Sequence, residues 1–346
     1  MYDIIIVGGG PAGATLARLL DSGFKVALID YTPKKKLCGK TCGGLLAPDA
    51  QKCLAHFGLT LPNDILVSPQ TFAVRTVDVK SRLTRYYQRS YLNMNRARFD
   101  NWLRSLIPDR VDIINARCES VSYSNNIYTV NLSNGKTLTS EYIVAADGAN
   151  SLVRRRLFPE KKIRSYIAIQ YWSGEPHSAD YSCYFDRKKT DCYMWSLAKD
   201  DRFIIGGAFP KKTKAELLLD YFREISGEPL KNLTLLEGCV VNRPKRVGDI
   251  FTGNSTAFLI GEAGGFISPS SLEGISWAMR TAEALAFSFD TPDPAKAYKK
   301  ATRPIKFKLW LKLLKCPFMY NPTLRKTVML SSIKSISQLN RKDLKK

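Results

Sequence analysis

Residues 2–13 read YDIIIVGGGPAG, and this stretch decides the fold. The apolar residues 2–7 predict a buried strand, and the apolar side chains of residues 14–22 recur at helical spacing. A second apolar strand is expected at residues 25–30, where it ends in an acid. Strand, turn, helix and strand in this order form the first βαβ unit of a doubly wound α/β sheet.

The glycines of the turn have the spacing Gly8-x-Gly10-x-x-Gly13. Gly8 permits a tight turn, Gly10 lets the backbone approach a pyrophosphate, and Gly13 lets the helix pack closely on the sheet. The free N–H groups at the start of the helix favour phosphate oxygens. Asp30, at the end of the second strand, is placed to accept hydrogen bonds from ribose hydroxyls. The turn therefore predicts a dinucleotide cofactor.

Segments of the nucleotide-binding type recur in the middle and near the end of the chain, with alternating, aromatic-rich segments between them. The alternating segments predict one antiparallel sheet. We therefore expect a discontinuous cofactor-binding domain and an inserted substrate-binding domain. The predicted bounds are 1–70, 95–160 and 250–303 for the cofactor domain, 71–94 and 161–249 for the substrate domain, and 304–346 for a basic helical C-terminal segment.

The composition is that of a globular protein, because 45% of the 346 residues are hydrophobic and 24% are charged. This excludes collagen-like and disordered classes. No apolar run of about 18 residues predicts a membrane span, and the chain opens on a strand instead of a signal peptide. Eight cysteines without an export signal predict reduced thiols in the cytoplasm. With only His56 and His177 present, we expect no metal site.

Two more motifs follow apolar strands. Residues 145–151 read AADGANS, and residues 258–265 read FLIGEAGG, shortly before SPSSLEGI at 268–275. With the glycine turn, the chain resembles over residues 1–303 the geranylgeranyl reductase family of FAD-dependent oxidoreductases, and most of all its CbrA-like bacterial flavoproteins. The resemblance implies the para-hydroxybenzoate hydroxylase fold. This is a Rossmann-type FAD-binding domain with an inserted antiparallel-sheet substrate domain, followed here by C-terminal basic helices.

The resemblance also implies which residues hold FAD. Arg96 matches the family arginine near the pyrophosphate, with Arg98 the less favoured choice. Glu262 stands where the family has an aspartate that bonds the ribityl chain, and Gly264 and Gly265 would let the backbone approach that chain. The full set predicted for FAD is Gly8, Gly10, Ala12, Gly13, Asp30, Arg96, Asp147, Gly148, Gly261, Glu262, Gly264, Gly265, Glu273 and Gly274.

Ser270-x-x-Glu273 has the pattern of a capping box and predicts the start of a long helix that ends near residue 289. Pointed at the isoalloxazine ring, this helix N-terminus would stabilise negative charge on the reduced flavin. An ordinary capped helix is the alternative interpretation.

Residues 40–46 read KTCGGLL and resemble the Cys-Gly segment that the reductase family places near the flavin. Cys42 is the predicted catalytic residue, as a proton donor or a group that positions the substrate. Gly43 and Gly44 are predicted beside the substrate. The alternatives are a small buried thiol without a catalytic role, and a redox pair of Cys38 with Cys42.

Tyr193 and Trp195 keep part of a family motif of the substrate cavity, with Thr190 and Leu197 in place of its first proline and its phenylalanine. An aromatic strand in a sheet core is the alternative. The resemblance implies hydride transfer from reduced FAD to a C=C bond of an isoprenoid or other hydrophobic substrate. NAD(P)H or a reduced electron-carrier protein would supply the electrons. A flavin-dependent hydroxylase and a non-catalytic flavoprotein at a membrane surface are the alternative functions.

The formal net charge is +22, and residues 299–346 contain fourteen Lys and Arg against Asp343. Lys308, Lys312 and Lys315 form a narrow basic stripe on a helix that is otherwise mostly apolar. This pattern favours contact with an anionic membrane surface, and docking on the protein itself is the alternative. No nucleic-acid-binding module is visible, so we expect no such partner. The expected location is the cytoplasm, either free or as a peripheral protein on the inner face of the membrane.

Overall fold

The computed structural model describes residues 1–31, 41–174, 180–226 and 232–337. These residues form sixteen strands and nine α-helices, the mixed content expected for an α/β protein. The strands are β1 Tyr2–Val7, β2 Val26–Asp30, β3 Leu45–Leu46, β4 Thr71–Asp78, β5 Leu83–Asn93, β6 Asp112–Asn115, β7 Cys118–Ser124, β8 Ile127–Leu132, β9 Thr137–Ala145, β10 Ser165–Ser173, β11 Tyr181–Phe185, β12 Met194–Lys199, β13 Arg202–Phe209, β14 Leu233–Asn242, β15 Ala257–Leu259 and β16 Ser335–Ile336. The helices are α1 Pro11–Leu19, α2 Pro48–His56, α3 Arg96–Ser105, α4 Leu152–Leu157, α5 Glu216–Ser226, α6 Ile275–Phe289, α7 Pro294–Ala301, α8 Arg303–Tyr320 and α9 Pro322–Leu330.

The first sheet has the strand order β6-β2-β1-β9-β8-β7, and β15 pairs with β9. Strand β1 lies between β2 and β9 and is parallel to both, with Ile4 opposite Val26 on one side and Tyr142 on the other. Its central isoleucines are fully buried, which explains the continuous apolar run in the sequence. Because the carboxyl ends of β1, β2, β9 and β15 meet at one edge, the motifs that follow these strands meet there too.

The second sheet has the strand order β14-β10-β13-β12-β11-β4-β5-β16, with β3 on β5. Its pairs are antiparallel except β4 with β11, which run parallel, so the prediction of a purely antiparallel sheet was wrong for that pair. Strand β14 was not predicted from the sequence, because Glu237 and Gly238 interrupt its apolar residues. Strand β14 pairs with β10 along its whole length and forms one edge of the sheet.

Helix α6 begins at Ile275, so the prediction that Ser270 caps this helix was wrong. The chain turns at Leu272, which has a φ of 56°, and this turn separates Ser270 from the helix. Gly274 occupies the N-cap position without a side-chain cap. The Glu273 carboxylate instead accepts hydrogen bonds from the Ser276 N–H and hydroxyl, each at 2.8 Å.

The C-terminal helices pack against both parts of the molecule. Ile305 and Leu309 of α8 are buried in a cluster with Trp277 of α6. The Tyr320 hydroxyl donates to the Ser270 carbonyl at 2.6 Å, and Arg325 of α9 pairs with Asp78 of β4 at 3.1 Å. Among the described residues, no helix is both long enough and apolar enough to cross a membrane.

Candidate cofactor and substrate cavity

One cavity of about 1360 Å³ reaches from the glycine turn to the second sheet and to helices α8 and α9. Pockets for a single small ligand usually measure about 300–1,000 Å³, so this cavity has room for a large cofactor and a second molecule. Most of the predicted site residues lie on its wall. They are Gly8, Gly10, Ala12, Asp30, Cys42, Gly43, Gly44, Arg96, Asp147, Gly148, Tyr193, Trp195, Glu262, Glu273 and Gly274.

The glycine turn has a geometry that fits a phosphate group. Gly8 has a φ of 107°, and a Cβ there would lie 2.5 Å from the Ala146 carbonyl oxygen. A Cβ on Gly13 would overlap the Gly8 carbonyl oxygen, so glycine is required for α1 to pack this closely. Gly10 faces open space, and no side chain caps α1. The backbone at Gly10 and the first N–H groups of the helix are thus accessible to a ligand.

Asp30 lies beside this turn. One carboxylate oxygen accepts from the Gly9 N–H at 3.2 Å, and the other pairs with Arg104 of α3 at 3.1 Å. Arg104 also donates to the Gly9 carbonyl at 3.4 Å and lines the cavity. This arginine was not predicted from the sequence, and it brings a positive charge to the turn.

Tyr31 and Arg117 were also missed. The Arg117 guanidinium lies 4.2 Å from the centre of the Tyr31 ring, and both residues line the cavity. Because Tyr31 directly follows Asp30 in the sequence, its place beside the cofactor could have been predicted. Together they provide a flat surface beside Asp30 against which an aromatic base could stack.

Asp147 holds the start of helix α4 through hydrogen bonds. One of its carboxylate oxygens accepts from the Leu152 and Val153 N–H groups at 2.7 and 3.3 Å. Burial raises the pKa of Asp147, although these hydrogen bonds partly oppose the shift. Gly148, with a φ of 73° and open space around it, follows on the cavity wall.

Four predicted glycines do not line the cavity: Gly13, Gly261, Gly264 and Gly265. A Cβ on Gly264 would lie 2.7 Å from the Phe251 carbonyl oxygen, and one on Gly265 would lie 2.9 Å from that of Asp249. Packing within the protein alone therefore requires glycine at both positions, and their approach to the ribityl chain stays a prediction. Gly261 likewise packs against Ala12 and Ala278.

Glu262 binds the strand that the sequence analysis missed. Its carboxylate accepts from the Asn242 N–H at 2.7 Å, and the Asn242 side chain donates to the Glu262 carbonyl at 3.0 Å. Glu262 still lines the cavity. Strand β14 therefore fixes the turn from which Glu262 projects.

Cys42 lines the cavity and lies beside a backbone donor and a cation. The Gly44 N–H donates to its sulfur at 3.3 Å, and the Arg96 guanidinium interacts with the thiol and, at 2.8 Å, with Asp100. Burial would lower the pKa of Arg96, but Asp100 and Cys42 raise it above its ordinary value, so the arginine stays charged. Burial raises the pKa of Tyr193, and Cys42 adds a smaller electrostatic contribution in the same direction. The proposed Cys38 partner lies outside the described residues.

The loop that carries Cys42 is held by a lysine that the sequence analysis missed. The buried Lys199 ammonium donates to Asn93 Oδ1 and the Met94 carbonyl, both at 2.7 Å, and to the Gly44 carbonyl at 3.3 Å. Gly44 has a φ of 64°. No local pattern could have revealed this contact, because Lys199 and Gly44 are 155 residues apart.

The other end of the cavity is aromatic and aliphatic. The Tyr193 hydroxyl donates to the Ser271 carbonyl at 2.7 Å, whereas the Trp195 indole N–H has no acceptor within the described part of the chain. Burial raises the pKa of Tyr91 to about 12 and that of Cys183 to about 12, so both are neutral at pH 7. Further apolar residues of this wall are Val74, Phe185, Leu197, Val241, Ile267, Leu272, Phe318, Met319, Val328 and Met329.

In the ranges that the structure describes, no group of three His, Cys, Asp or Glu residues is arranged to hold a metal ion. The cysteines described there are all free thiols.

Comparison with known proteins identifies relatives over the whole chain. A family model described as lycopene cyclase protein matches residues 3–167. Protein CbrA of Escherichia coli O9:H4 (strain HS) is 45% identical, over 98% of this chain and 95% of its own length.

Solved structures share the fold. A geranylgeranyl bacteriochlorophyll reductase-like protein from Thermoplasma acidophilum has a TM-score of 0.80 at 19% identity, over 99% of this chain and 94% of that one. PqsL, a probable FAD-dependent monooxygenase from Pseudomonas aeruginosa, has a TM-score of 0.68 at 17% identity, over 95% and 99%. These matches confirm the predicted fold class. The chain belongs to the CbrA family and has the fold shared by FAD-dependent reductases and monooxygenases.

Proposed function

We propose that the protein is an FAD-dependent oxidoreductase that reduces a carbon–carbon double bond of an isoprenoid or a comparably apolar substrate. The observation that supports this most is the continuity of the cavity. One space joins a turn suited to phosphate with a mostly apolar wall, and Cys42 lines this space beside the Arg96 guanidinium.

The residues present fit FAD. The exposed backbone at Gly10 and the uncapped start of α1 suit its pyrophosphate, and Asp30 suits the ribose hydroxyls. Arg104 adds a positive charge beside this turn. Glu273 and Gly274 would lie towards the flavin, where the start of α6 favours negative charge.

Bound in this cavity, FAD would supply two-electron chemistry, with NAD(P)H or a reduced electron-carrier protein as the reductant. Saturation of a double bond also requires one proton, and Cys42 is the group that we assign to donate it. The charged Arg96 guanidinium and the Gly44 N–H can hold the negative charge of the thiolate that remains. Lys199 positions this loop through Gly44.

The substrate class is inferred from the cavity wall. The side chains of the second sheet and of α8 and α9 that line this part are mostly aromatic and aliphatic, which favours a hydrocarbon chain over a sugar or a peptide. The unpartnered Trp195 N–H offers one directional contact to a polar atom of the substrate.

The test is a single-turnover reaction without oxygen. The purified protein is loaded with FAD, reduced chemically and mixed with polyprenyl lipids, and flavin reoxidation and lipid mass are measured together. We expect reoxidation with a gain of two hydrogen atoms. A flavin that stays reduced until air enters, followed by a product one oxygen atom heavier, would instead identify a hydroxylase. The absence of both products would support a binding role.

A further inference from the structure

A second cavity, of about 530 Å³, lies between helix α8 on one side and helices α2 and α6 on the other. None of the residues predicted to bind FAD or substrate, or to act in catalysis, lines it. We call it the α6–α8 cleft. It is separate from the glycine turn and from Cys42, so the proposed reaction does not explain it.

The cleft is strongly cationic. Arg280 of α6 and Lys308, Lys312 and Lys315 of α8 line it together with one carboxylate, Asp49. Asp49 is 3.8 Å from Lys312. In the described part of the chain, Lys308 and Lys315 form no ion pair, so the cleft has an excess of positive charge over negative charge.

A buried donor in the cleft has no acceptor. Trp277 lines the cleft and is only 3% exposed, and its indole N–H has no hydrogen-bond acceptor among the described residues. The Nε atom of the half-buried Arg280 also has no acceptor there, although the guanidinium interacts with the Cys53 thiol. Unpaired buried donors are costly in a folded protein, and an anion in the cleft would provide the acceptor that they lack.

The rim of the cleft is apolar. Leu311, Leu314 and Phe318 line it, and each is at least 41% exposed. Phe307 and Trp310 are also exposed on the same helix. A free inorganic anion would leave this surface in water, whereas an amphiphile would cover it with its hydrocarbon chain.

From this combination we infer that the α6–α8 cleft binds the phosphate of an anionic membrane lipid, with α8 lying at the surface of the bilayer. The described part of the segment from residue 299 onwards has ten Lys and Arg residues and no Asp or Glu, which complements such a surface. The assignment gives the basic tail a defined contact site.

The position of the cleft connects this site with the proposed substrate. Lys312, Lys315 and Phe318 line both the cleft and the large cavity, so α8 separates them. A lipid bound in the cleft would hold the bilayer against the wall of the cavity. This consequence depends on the proposed function, but lipid binding itself does not.

The test compares two variants that lose the same charge. Lys308→Gln with Arg280→Gln removes two cations from the cleft, and Lys326→Gln with Lys334→Gln removes two cations of the tail outside both cavities. Flotation with phosphatidylglycerol vesicles measures binding, with phosphatidylcholine vesicles as the uncharged reference. Because the cleft cations would bond the lipid phosphate directly, the cleft variant should bind about tenfold or more weakly. The control variant loses only diffuse attraction and should lose much less affinity.

Three outcomes would overturn the inference. Equal losses in the two variants would indicate diffuse electrostatic attraction, and binding to neither kind of vesicle would exclude a membrane lipid. Inorganic phosphate that competes with vesicles equally well in wild type and cleft variant would place the anion elsewhere. If the double variant misfolds, the single variant Lys308→Gln, at an exposed position, tests the same loss of vesicle binding. Since vesicle binding requires neither FAD nor turnover, its failure is distinct from failure of the proposed reaction.

Discussion

The surroundings of the Cys42 sulfur combine a permanent cation with a backbone donor. Arg96 is held by Asp100 at 2.8 Å, and the Gly44 N–H approaches the sulfur at 3.3 Å. A proton donor needs such groups because its conjugate base must be stabilised during the reaction. An inert buried thiol needs no cation beside it, so these contacts favour the catalytic interpretation over the structural one.

Replacement of Cys42 by Ala should lower the single-turnover rate of substrate reduction by about 100-fold or more, which is the usual contribution of a general acid. FAD affinity should be unchanged, because the side chain is not assigned to the cofactor. Stopped-flow reoxidation of the reduced enzyme measures the rate. Cys118→Ala, a half-buried thiol on β7, is the matched control. An unchanged rate in Cys42→Ala would contradict the proposed role.

Glu273 provides a prediction about pH. Burial raises its pKa above the ordinary value of 4.5, and the hydrogen bonds from Ser276 offset only part of the shift. Between pH 4.5 and its raised pKa, the folded protein therefore binds more protons than the unfolded one. The contribution of Glu273 to stability is fully present below pH 4.5 and is lost as the pH rises through the raised pKa.

Glu273→Gln should remove this dependence, so the free energy of unfolding should fall less steeply with pH in the variant than in the wild type. Urea unfolding at a series of pH values measures it. Glu119→Gln, at an exposed position on β7, should keep the wild-type slope. A wild-type slope in Glu273→Gln would show that another group is responsible.

At the scale of elements, the βαβ unit was predictable because its signals are local. The apolar strand, the glycine spacing and the acid at the end of β2 all lie within 29 residues, from Tyr2 to Asp30. Strand β14 and the start of α6 were not predictable in the same way. Partner strand β10 stabilises β14 despite its weak pattern, and a turn at Leu272 moves the helix start to Ile275.

Two glycines of the turn should have different roles, Gly13 in the stability of the fold and Gly10 in the binding of FAD. Gly13→Ala forces α1 away from the Gly8 carbonyl and should lower the free energy of unfolding by about 1–3 kcal/mol. Gly10→Ala meets open space and should change stability by less than about 0.5 kcal/mol. Gly10→Ala should nevertheless weaken FAD binding, because its methyl group projects where the pyrophosphate is expected.

Urea unfolding and FAD titration by fluorescence measure these two effects. A Gly10→Ala protein that binds FAD as tightly as wild type would contradict the assignment of this turn to the pyrophosphate. Equal destabilisation by both variants would contradict the packing argument for Gly13.

At the scale of the whole molecule, the second sheet and the C-terminal helices are joined by a buried ion pair. The side chains of Asp78 and Arg325 are 1% and 5% exposed. Arg325 also donates to the Met319 carbonyl at 2.8 Å and lies 5.1 Å from the centre of the Phe185 ring. Helices α8 and α9 are thereby fixed where they complete the cavity.

Arg325→Met should lower the free energy of unfolding by about 3–5 kcal/mol, because it leaves the Asp78 carboxylate buried and unpaired. Asp78→Asn combined with Arg325→Met should recover most of this loss. Lys326→Met, at an exposed position on the same helix, is the control. Thermal and urea unfolding measure these differences, and a double variant as unstable as the single one would argue against an effect of charge.

The sequence predicted the cofactor end of the cavity better than its other groups. Gly8, Gly10 and Asp30 belong to one short motif, whereas Lys199 reaches Gly44 across 155 residues and Arg104 meets Asp30 from α3. Contacts of this kind depend on how distant segments pack and leave no periodic or local signal. For the same reason, the sequence pattern of α8 and α9 did not show that these helices contribute to the cavity wall.

The central position of β1 has a consequence for biosynthesis. Of the strands described, β1 is made first, its neighbour β9 follows only after β2 to β8, and β15, which pairs with β9, follows only after β14. Ile4 and Ile6 of β1 share a buried cluster with residues of helix α6, so this face of the strand stays uncovered until α6 has been made, since non-local contacts must wait for the later segment. A nascent chain of this topology is a natural client for chaperones that bind short apolar segments.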